Sequence, residues 1–327
     1  MTRVLVTGAD GFVGRAVTRA LIEHRYQVRR AVRRPSERPP AGGESIVMGD
    51  IDGGTDWHET LAGVDAIVHL AARVHVLHET AVDPLAAFRR VNVEGTSRLA
   101  MMAGSHGVRR FVYMSSVGVN GNSTSGRPFT EADLPAPETA YARSKWEAEQ
   151  ALRRVAERTG LDVVVLRPPL VYGPDVKGNF LRLVRIVDRR IPAPLACVRN
   201  TRSLLDVVNL ASAIVCCLGA SRGAGQTYLV RDGEDVSTPE LIRRLARALG
   251  RRPRLVPCPL GILRAAAGVA GVRRQLDQLI GSLTLDDAKI RSELGWVPPL
   301  SMPEGLQAMA DWYRATKHPS PASPSSS

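Results

Sequence analysis

The stretch RVLVTGADGFVG, residues 3–14, changes its period halfway along. Val4, Leu5 and Val6 form a continuous apolar run, the mark of a strand covered on both faces. GRAVTRALIEHR (14–25) then spaces its apolar residues as a helix does. Between the two, TGADGFVG (7–14) places Gly8, Gly11 and Gly14 three residues apart. Gly8 permits a tight turn, Gly11 lets backbone approach a pyrophosphate, and Gly14 lets helix pack on strand. The following helix N-terminus, with Phe12 and Val13 in its first turn, offers free N–H groups and a positive dipole end to phosphate. Three glycines alone could also make a plain strand-to-helix turn. Their place directly after the first strand favours a dinucleotide site.

The alternation continues outward. Strands are expected at QVRRAVR (27–33), SIVMGD (45–50), AIVHLAA (66–72), FVYMSS (111–116) and VVVLRP (163–168), with helices at 85–106 and 138–159. Strand and helix in turn imply parallel strands with right-handed crossovers, hence an α/β fold with a Rossmann-type doubly wound parallel sheet. After Pro168 the chain becomes proline-rich and irregular, with shorter helices at 206–219 and 237–250. The expected organisation is a dinucleotide-binding domain at 1–168 with a returning segment near 204–224. A smaller C-terminal α/β substrate-binding lobe covers 169–203 and 225–316. The Pro/Ser-rich tail, 317–327, has the composition of a disordered segment.

Composition narrows the class. The formal charge of +12 comes from 44 basic and 32 acidic residues, and 40 of the basic residues are arginine. Arginines concentrate at 24–38 and 243–254, with only sparse aromatic interleaving and no zinc or helix-turn-helix pattern, so no nucleic-acid partner is expected. Cys197, Cys216, Cys217 and Cys258 lack metal-ligand spacing and read as free thiols, with no metal site. LGILRAAAGVAGV (260–272) is too short and too broken by glycine for a membrane span, and reads as a packed helix or cap. A soluble, cytoplasmic chain without a leader or stable membrane insertion is expected.

At the end of the second strand, where a ribose-binding carboxylate is anticipated, the chain reads AVRRPSE. Arg33 and Arg34 would suit a 2′-phosphate, so NADP(H) is the expected preference, with NAD(H) possible.

Tyr141 and Lys145, in YARSK, are four residues apart and share a helix face. A phenol with a pKa of about 10 is a poor base at neutral pH. An ammonium about 4 Å away would favour phenolate by roughly 4 kcal/mol at an effective dielectric near 20. Ser115 and Ser116, at the end of the strand before this helix, could be a nucleophile, a phosphate cradle, a catalytic hydrogen-bond donor or a plain turn.

Together TGADGFVG, GDI (49–51), HLAA (69–72), Asn92 in VNVEGT, the SS strand end and YARSK resemble the extended short-chain dehydrogenase/reductase family over nearly the whole chain. The resemblance implies that Asp50 and Ile51 contact adenine and that Leu70, Ala71 and Ala72 line the cofactor cleft with Asn92. It makes Tyr141 the acid/base and assigns Lys145 to the nicotinamide ribose, where it lowers the tyrosine pKa. Ser116 would bind the reacting oxygen. RPPLVYGPDVKGNF (167–180) is similar to the nicotinamide-side loop, with Pro168 and Val171 on the cofactor and Asn179 on the sugar or a phosphate. Arg202 would meet the nucleotide or diphosphate; Arg274 would supply a second contact. The family often forms homodimers through the helices around 85–106 and 138–159.

Val117 and Gly118 follow Ser116 where sugar-nucleotide dehydratases of the family carry an Asp-Glu pair. Neither can move a proton, so hydride transfer without elimination is expected. Segments such as SKWEAE, RPPLVYGP and DGEDVSTPEL look most like a UDP-glucose 4-epimerase-like subgroup that includes reductases of UDP-4-keto-6-deoxy-N-acetylhexosamines. These act in surface-polysaccharide synthesis. The expected activity is therefore an NAD(P)H-dependent 4-ketoreductase on a UDP-sugar, with UDP-sugar 4-epimerase as the alternative. A non-catalytic NADP-binding sensor or scaffold is a third reading.

Overall fold

Apolar runs of four to six residues separated by amphipathic helices leave this chain one economical closure, a parallel sheet with helices on both faces. The structure, a computed structural model, describes residues 1–35, 42–74 and 83–317; the side chain of Arg274 also lies outside the description. Its strands are β1 (Arg3–Thr7), β2 (Gln27–Val32), β3 (Glu44–Val47), β4 (Ala66–His69), β5 (Arg110–Met114), β6 (Asp162–Arg167), β7 (Leu170–Tyr172), β8 (Arg202–Asp206), β9 (Thr227–Leu229) and β10 (Asp235–Val236). The helices of the first half are α1 (Phe12–Glu23), α2 (His58–Leu61), α3 (Pro84–Arg89), α4 (Thr96–Ser105) and α5 (Ala140–Thr159). Those of the second half are α6 (Gly178–Asp188), α7 (Val207–Gly219), α8 (Thr238–Ala248), α9 (Leu260–Val269), α10 (Arg273–Ile280), α11 (Ala288–Leu294) and α12 (Met302–Lys317). A π-helical turn, Arg90–Gly95, joins α3 to α4, so the helix expected at 85–106 is one element of mixed pitch.

The large sheet runs β3-β2-β1-β4-β5-β6-β9, parallel throughout. The order reverses between β1 and β4, which opens a crevice at the strand C-termini. Alternate residues feed opposite faces. Val4, Val6, Val68 and Val112 pack with Val17 and Leu21 of α1 and Leu210 and Ile214 of α7. Leu5, Ile67 and Phe111 pack with Leu99 of α4 and Leu152 and Val155 of α5.

The second lobe has its own core, in which Phe180, Val184, Leu241, Leu245, Leu306 and Met309 meet. A small sheet, β10-β8-β7, connects it to the first domain. The segment returning to the large sheet extends beyond the 204–224 anticipated. Strand β9 pairs with β6 in the register Val165↔Thr227, and Ile290 and Trp296 join the core beneath it. A three-residue strand on a sheet edge carries too little periodicity to be read from its letters. Residues 318–327 of the expected tail lie outside the described residues. Among the described residues, no helix is long and apolar enough to cross a membrane.

Candidate active site

The glycine loop can be tested atom by atom. Gly8 holds φ +67°, and a Cβ there would lie 2.9 Å from the Ala71 backbone nitrogen. At Gly14 a Cβ would sit 2.2 Å from the Gly8 carbonyl oxygen, so α1 can lie this close to β1 only through glycine. Gly11 differs: its Cβ would meet only the Gly8 oxygen, at 3.1 Å, and its outer side is open for a ligand to approach the backbone. No side chain caps α1 and no acid stands in its first turn, where Phe12 and Val13 are half-buried. The cradle fits a pyrophosphate held by backbone N–H groups.

Thr7 and His69 brace this turn from below, a role the sequence did not disclose. The Thr7 hydroxyl accepts from the backbone nitrogens of Leu70 (3.2 Å) and Ala71 (3.1 Å) and lies 2.7 Å from His69 Nδ1. With both acceptor positions taken, its proton goes to Nδ1. His69 therefore carries its own proton on Nε2 and donates to Thr96 Oγ1 at 2.9 Å. Burial pushes the His69 pKa down to about 3, which keeps the ring neutral. Leu70, Ala71 and Ala72 are thus fixed along the cleft, half-buried.

At the end of β2, Arg33 and Arg34 are exposed. Arg33 is already engaged: Nη2 donates to Asp50 Oδ2 at 2.9 Å, and Nε contacts Oδ1. The side chains are 66% and 65% exposed, so the pair is weakly held and can exchange for another anion. Ile51 beside it is half-buried.

Asn92 is buried and has both amide protons occupied. It donates to the Arg73 carbonyl (3.1 Å) and Ser144 Oγ (2.9 Å) and accepts from the Arg73 nitrogen (2.8 Å). It ties the segment after β4 to α5, through the π-helical turn that aims it.

Helix α5 starts at Thr139, whose hydroxyl accepts from the Ala142 nitrogen at 3.0 Å. Tyr141 lies in the first turn and Lys145 one turn later. The Lys145 ammonium donates to the Met114 carbonyl at 2.7 Å and stands 4.7 Å from the Tyr113 ring and 5.9 Å from the Tyr141 ring. Ser116 caps the short turn Val117–Val119, its Oγ accepting from the Gly118 nitrogen at 3.1 Å. A Cβ on Gly118 would be 3.3 Å from Ala142 Cβ and 3.4 Å from Ser116 Oγ, which shows how closely the serine turn approaches the tyrosine end of α5. Val117 is buried against Leu229, Leu283 and Leu285.

The expected pull of Lys145 on the phenol does not govern this site. Loss of water raises Tyr141 to about 12, and the same loss lowers Lys145 to about 7 against the opposing field of Glu149. At neutral pH the lysine is charged only part of the time, and its proton is directed at Met114. Desolvation outweighs a Coulombic attraction of that length.

Below the lysine lies a buried ionic network. Arg167 donates to Glu149 through Nε (3.0 Å) and Nη2 (2.6 Å) and to Asn120 through Nη1 (3.0 Å). Ser115 Oγ donates to Glu149. The first serine of the pair supports the strand end, while the second caps the turn that follows.

Pro168 is buried and its carbonyl accepts from the Val117 nitrogen at 2.9 Å, while Val171 is half-buried on β7. Asn179 is exposed in the first turn of α6. Arg202 gives Nη1 to the carbonyls of Gln278 (2.6 Å) and Gly281 (2.9 Å), so it holds the C-terminal end of α10. Arg274 lies on that helix, its side chain outside the described residues.

Residues 4–230 match the NAD dependent epimerase/dehydratase family. The chain belongs to that family, and as a member it is a nicotinamide-dependent enzyme. A Vibrio cholerae relative named UDP-glucose 4-epimerase is 39% identical over 313 residues, 95% of each chain. The structure of MoeE5 in complex with UDP-glucose and NAD superposes with a TM-score of 0.78 at 28% identity, over 97% of this chain and all of that one. A UDP-glucose 4-epimerase from Thermotoga maritima, 22% identical over 97% and 100% of the two chains, shares the fold at a TM-score of 0.77.

Proposed function

We propose that this family member transfers a hydride at C4 of a UDP-linked hexose and acts as a UDP-sugar 4-epimerase. One observation carries the reading: Ser116, Tyr141 and Lys145 stand at adjoining ends of β5 and α5, beside a dinucleotide cradle, and Ser116 is followed by a buried valine and a glycine. Neither of these two residues carries a carboxyl with which to eliminate water. The Vibrio cholerae relative, similar along 95% of both chains, supports the substrate class and the reaction.

A bound nicotinamide supplies the hydride acceptor and, when oxidised, a positive charge. Gly8, Gly11 and Gly14 with the α1 N-terminus would hold its pyrophosphate. Asp50 and Ile51 would hold the adenine, with Leu70 to Ala72, Pro168 and Val171 along the cleft. In the protein's part of the reaction, Tyr141 would take the O4 proton once the positive charge of the oxidised nicotinamide offsets the burial that raises its pKa, and Ser116 would donate to the same oxygen as it becomes a carbonyl. Tyr141 would restore that proton when hydride returns to C4 on the opposite face, which gives the epimer and balances the cycle. Lys145 orients the tyrosine end of α5 through Met114 and would hold the ribose. Asn179, Arg202 and Arg274 are the proposed substrate contacts, Arg202 through the guanidinium nitrogens not given to α10.

Net reduction of a UDP-4-keto-6-deoxy-hexose by NADPH is the second reading, favoured by Arg33 and Arg34. It ranks second because the Vibrio cholerae relative supports epimerisation, and because a 2′-phosphate would first have to displace Asp50 from Arg33. The purified chain is incubated with UDP-glucose and UDP-N-acetylglucosamine without added cofactor and followed by NMR. C4 epimers are expected, with Tyr141→Phe slowing their formation by about 10³-fold. Stoichiometric NADPH oxidation with a UDP-4-ketosugar, and no epimers, would instead establish the reductase. Absence of turnover in both assays would leave a binding protein.

A further inference from the structure

The arginine excess has a location. Residues 241–276 contain nine arginines and no aspartate, glutamate or lysine, and so carry nine of the chain's twelve net positive charges. Acids elsewhere engage Arg243, Arg244, Arg251, Arg264 and Arg273. Arg247, Arg252 and Arg254 are exposed and hold no ion pair among the described residues. Arg190 joins them in space, because the chain bridges Ala193 to Leu255 and Arg190 lines one small hollow with Arg254.

Helix α9 follows this basic stretch in the chain. Five residues lie between Arg254 and Leu260, a reach of about 20 Å at most, and α10, which opens on Arg273 and Arg274, packs against α9. Leu260 and Leu263 pack against the core of the second lobe, and Ala267, one turn on from Leu263, is buried. The opposite stripe, Ile262, Ala265, Ala266 and Val269, follows the same helical spacing and is open to solvent; Ile262 is 63% and Val269 94% exposed. The helix expected to be packed is therefore packed on one side only. Arg264 is its one charged side chain.

We infer that α9 and the arginines around it form a docking face for an anionic membrane surface. An apolar stripe flanked by unpaired guanidinium groups matches the acyl boundary and anionic headgroups of a bilayer at once. The neighbouring alternatives fit less well. A nucleic-acid backbone makes no use of Ile262 and Val269, and residues 241–276 contain no aromatic side chain on which a base could stack. A second copy meeting through this face would bring the same unpaired cations together. The attachment is peripheral and leaves the substrate lobe, with Asn179 and Arg202, beside the lipid surface.

Sedimentation of the full chain with vesicles tests this. Vesicles of phosphatidylcholine with 30% phosphatidylglycerol should bind it at least tenfold more tightly than phosphatidylcholine alone, with binding weakened by 0.5 M salt. Ile262→Ser with Val269→Ser, and separately Arg252→Ser with Arg254→Ser, should each lower the partition coefficient about tenfold. Dinucleotide binding and the circular dichroism spectrum should stay unchanged. Equal binding to both vesicle types, or full retention by the Ile262/Val269 variant, overturns the proposal. So does dimerisation in light scattering that the same variant abolishes, or salt-sensitive binding to an RNA oligonucleotide tighter than to the anionic vesicles.

Discussion

Lys145 and Tyr141 show that a catalytic pair can be placed by one force and poised by another. Helical spacing sets them on one face, but burial decides their protonation in the protein alone. The lysine effect has a definite sign. Its folded pKa of about 7 lies below the ordinary value of 10.5, so the charged form is disfavoured in the fold. Below pH 7 both states hold the proton and the burial cost is fully present. Between pH 7 and 10.5 the unfolded chain holds more protons, and stability rises with pH. Relative to Lys145→Met, the wild type should gain roughly 1 kcal/mol per pH unit between pH 7.5 and 9 in urea titrations. Parallel curves for the two proteins would refute the assignment. YARSK was legible as chemistry because it needs only a local period. Thr7, His69 and Asn92 were not legible in their roles, because their partners lie 19 to 64 residues away and no local pattern marks them.

The loop between β1 and α1 separates two uses of glycine that look identical in the sequence. Gly14→Ala drives a Cβ to 2.2 Å from a backbone carbonyl, which neither partner can avoid. It should cost at least about 2 kcal/mol in denaturant titration. Gly11→Ala should stay within about 1 kcal/mol of wild type, yet weaken dinucleotide affinity at least tenfold by calorimetry. Equal effects on stability would show that Gly11 is also a packing position. A second element-level device is the Glu149–Arg167 pair, which joins α5 to the end of β6 with both side chains at or below 5% exposure. Glu149→Gln leaves a buried guanidinium without its counter-charge and should cost about 3–5 kcal/mol in thermal or chemical unfolding. Replacing both residues by methionine should recover most of that loss. If the double variant is no more stable than the single one, the network has a role beyond pairing charges. Both residues stand in readable motifs, but nothing in either motif says that they meet.

The union of the two lobes rests on buried polar contacts as well as apolar packing. Asn209 donates to Asp232 and to the Leu300 carbonyl, each at 2.8 Å, and accepts from the Leu300 nitrogen at 2.9 Å. Tyr172 donates to Asp232 at 2.8 Å, and burial raises Asp206 beside them to about 6. Asn209→Ala should therefore cost about 2–3 kcal/mol by leaving the Leu300 carbonyl and N–H without their partner and removing one of the two donors to Asp232 Oδ1. Differential scanning calorimetry reads the effect; a loss below about 0.5 kcal/mol would mean that water replaces the side chain. By itself the sequence determined the α/β class, the parallel run of the first six strands and the glycine turn after the first of them, and it singled out Ser116, Tyr141 and Lys145 as candidates. Each of these rests on a period or spacing within about 30 residues, which the chain's local geometry translates directly into position. Tertiary structure decided the rest. It placed β9 on the sheet edge, gave Arg202 to the end of α10, paired Arg33 with Asp50 and left one face of α9 uncovered. Those outcomes depend on which distant groups compete for the same partner and on how much water each one loses, and neither quantity is written in neighbouring letters.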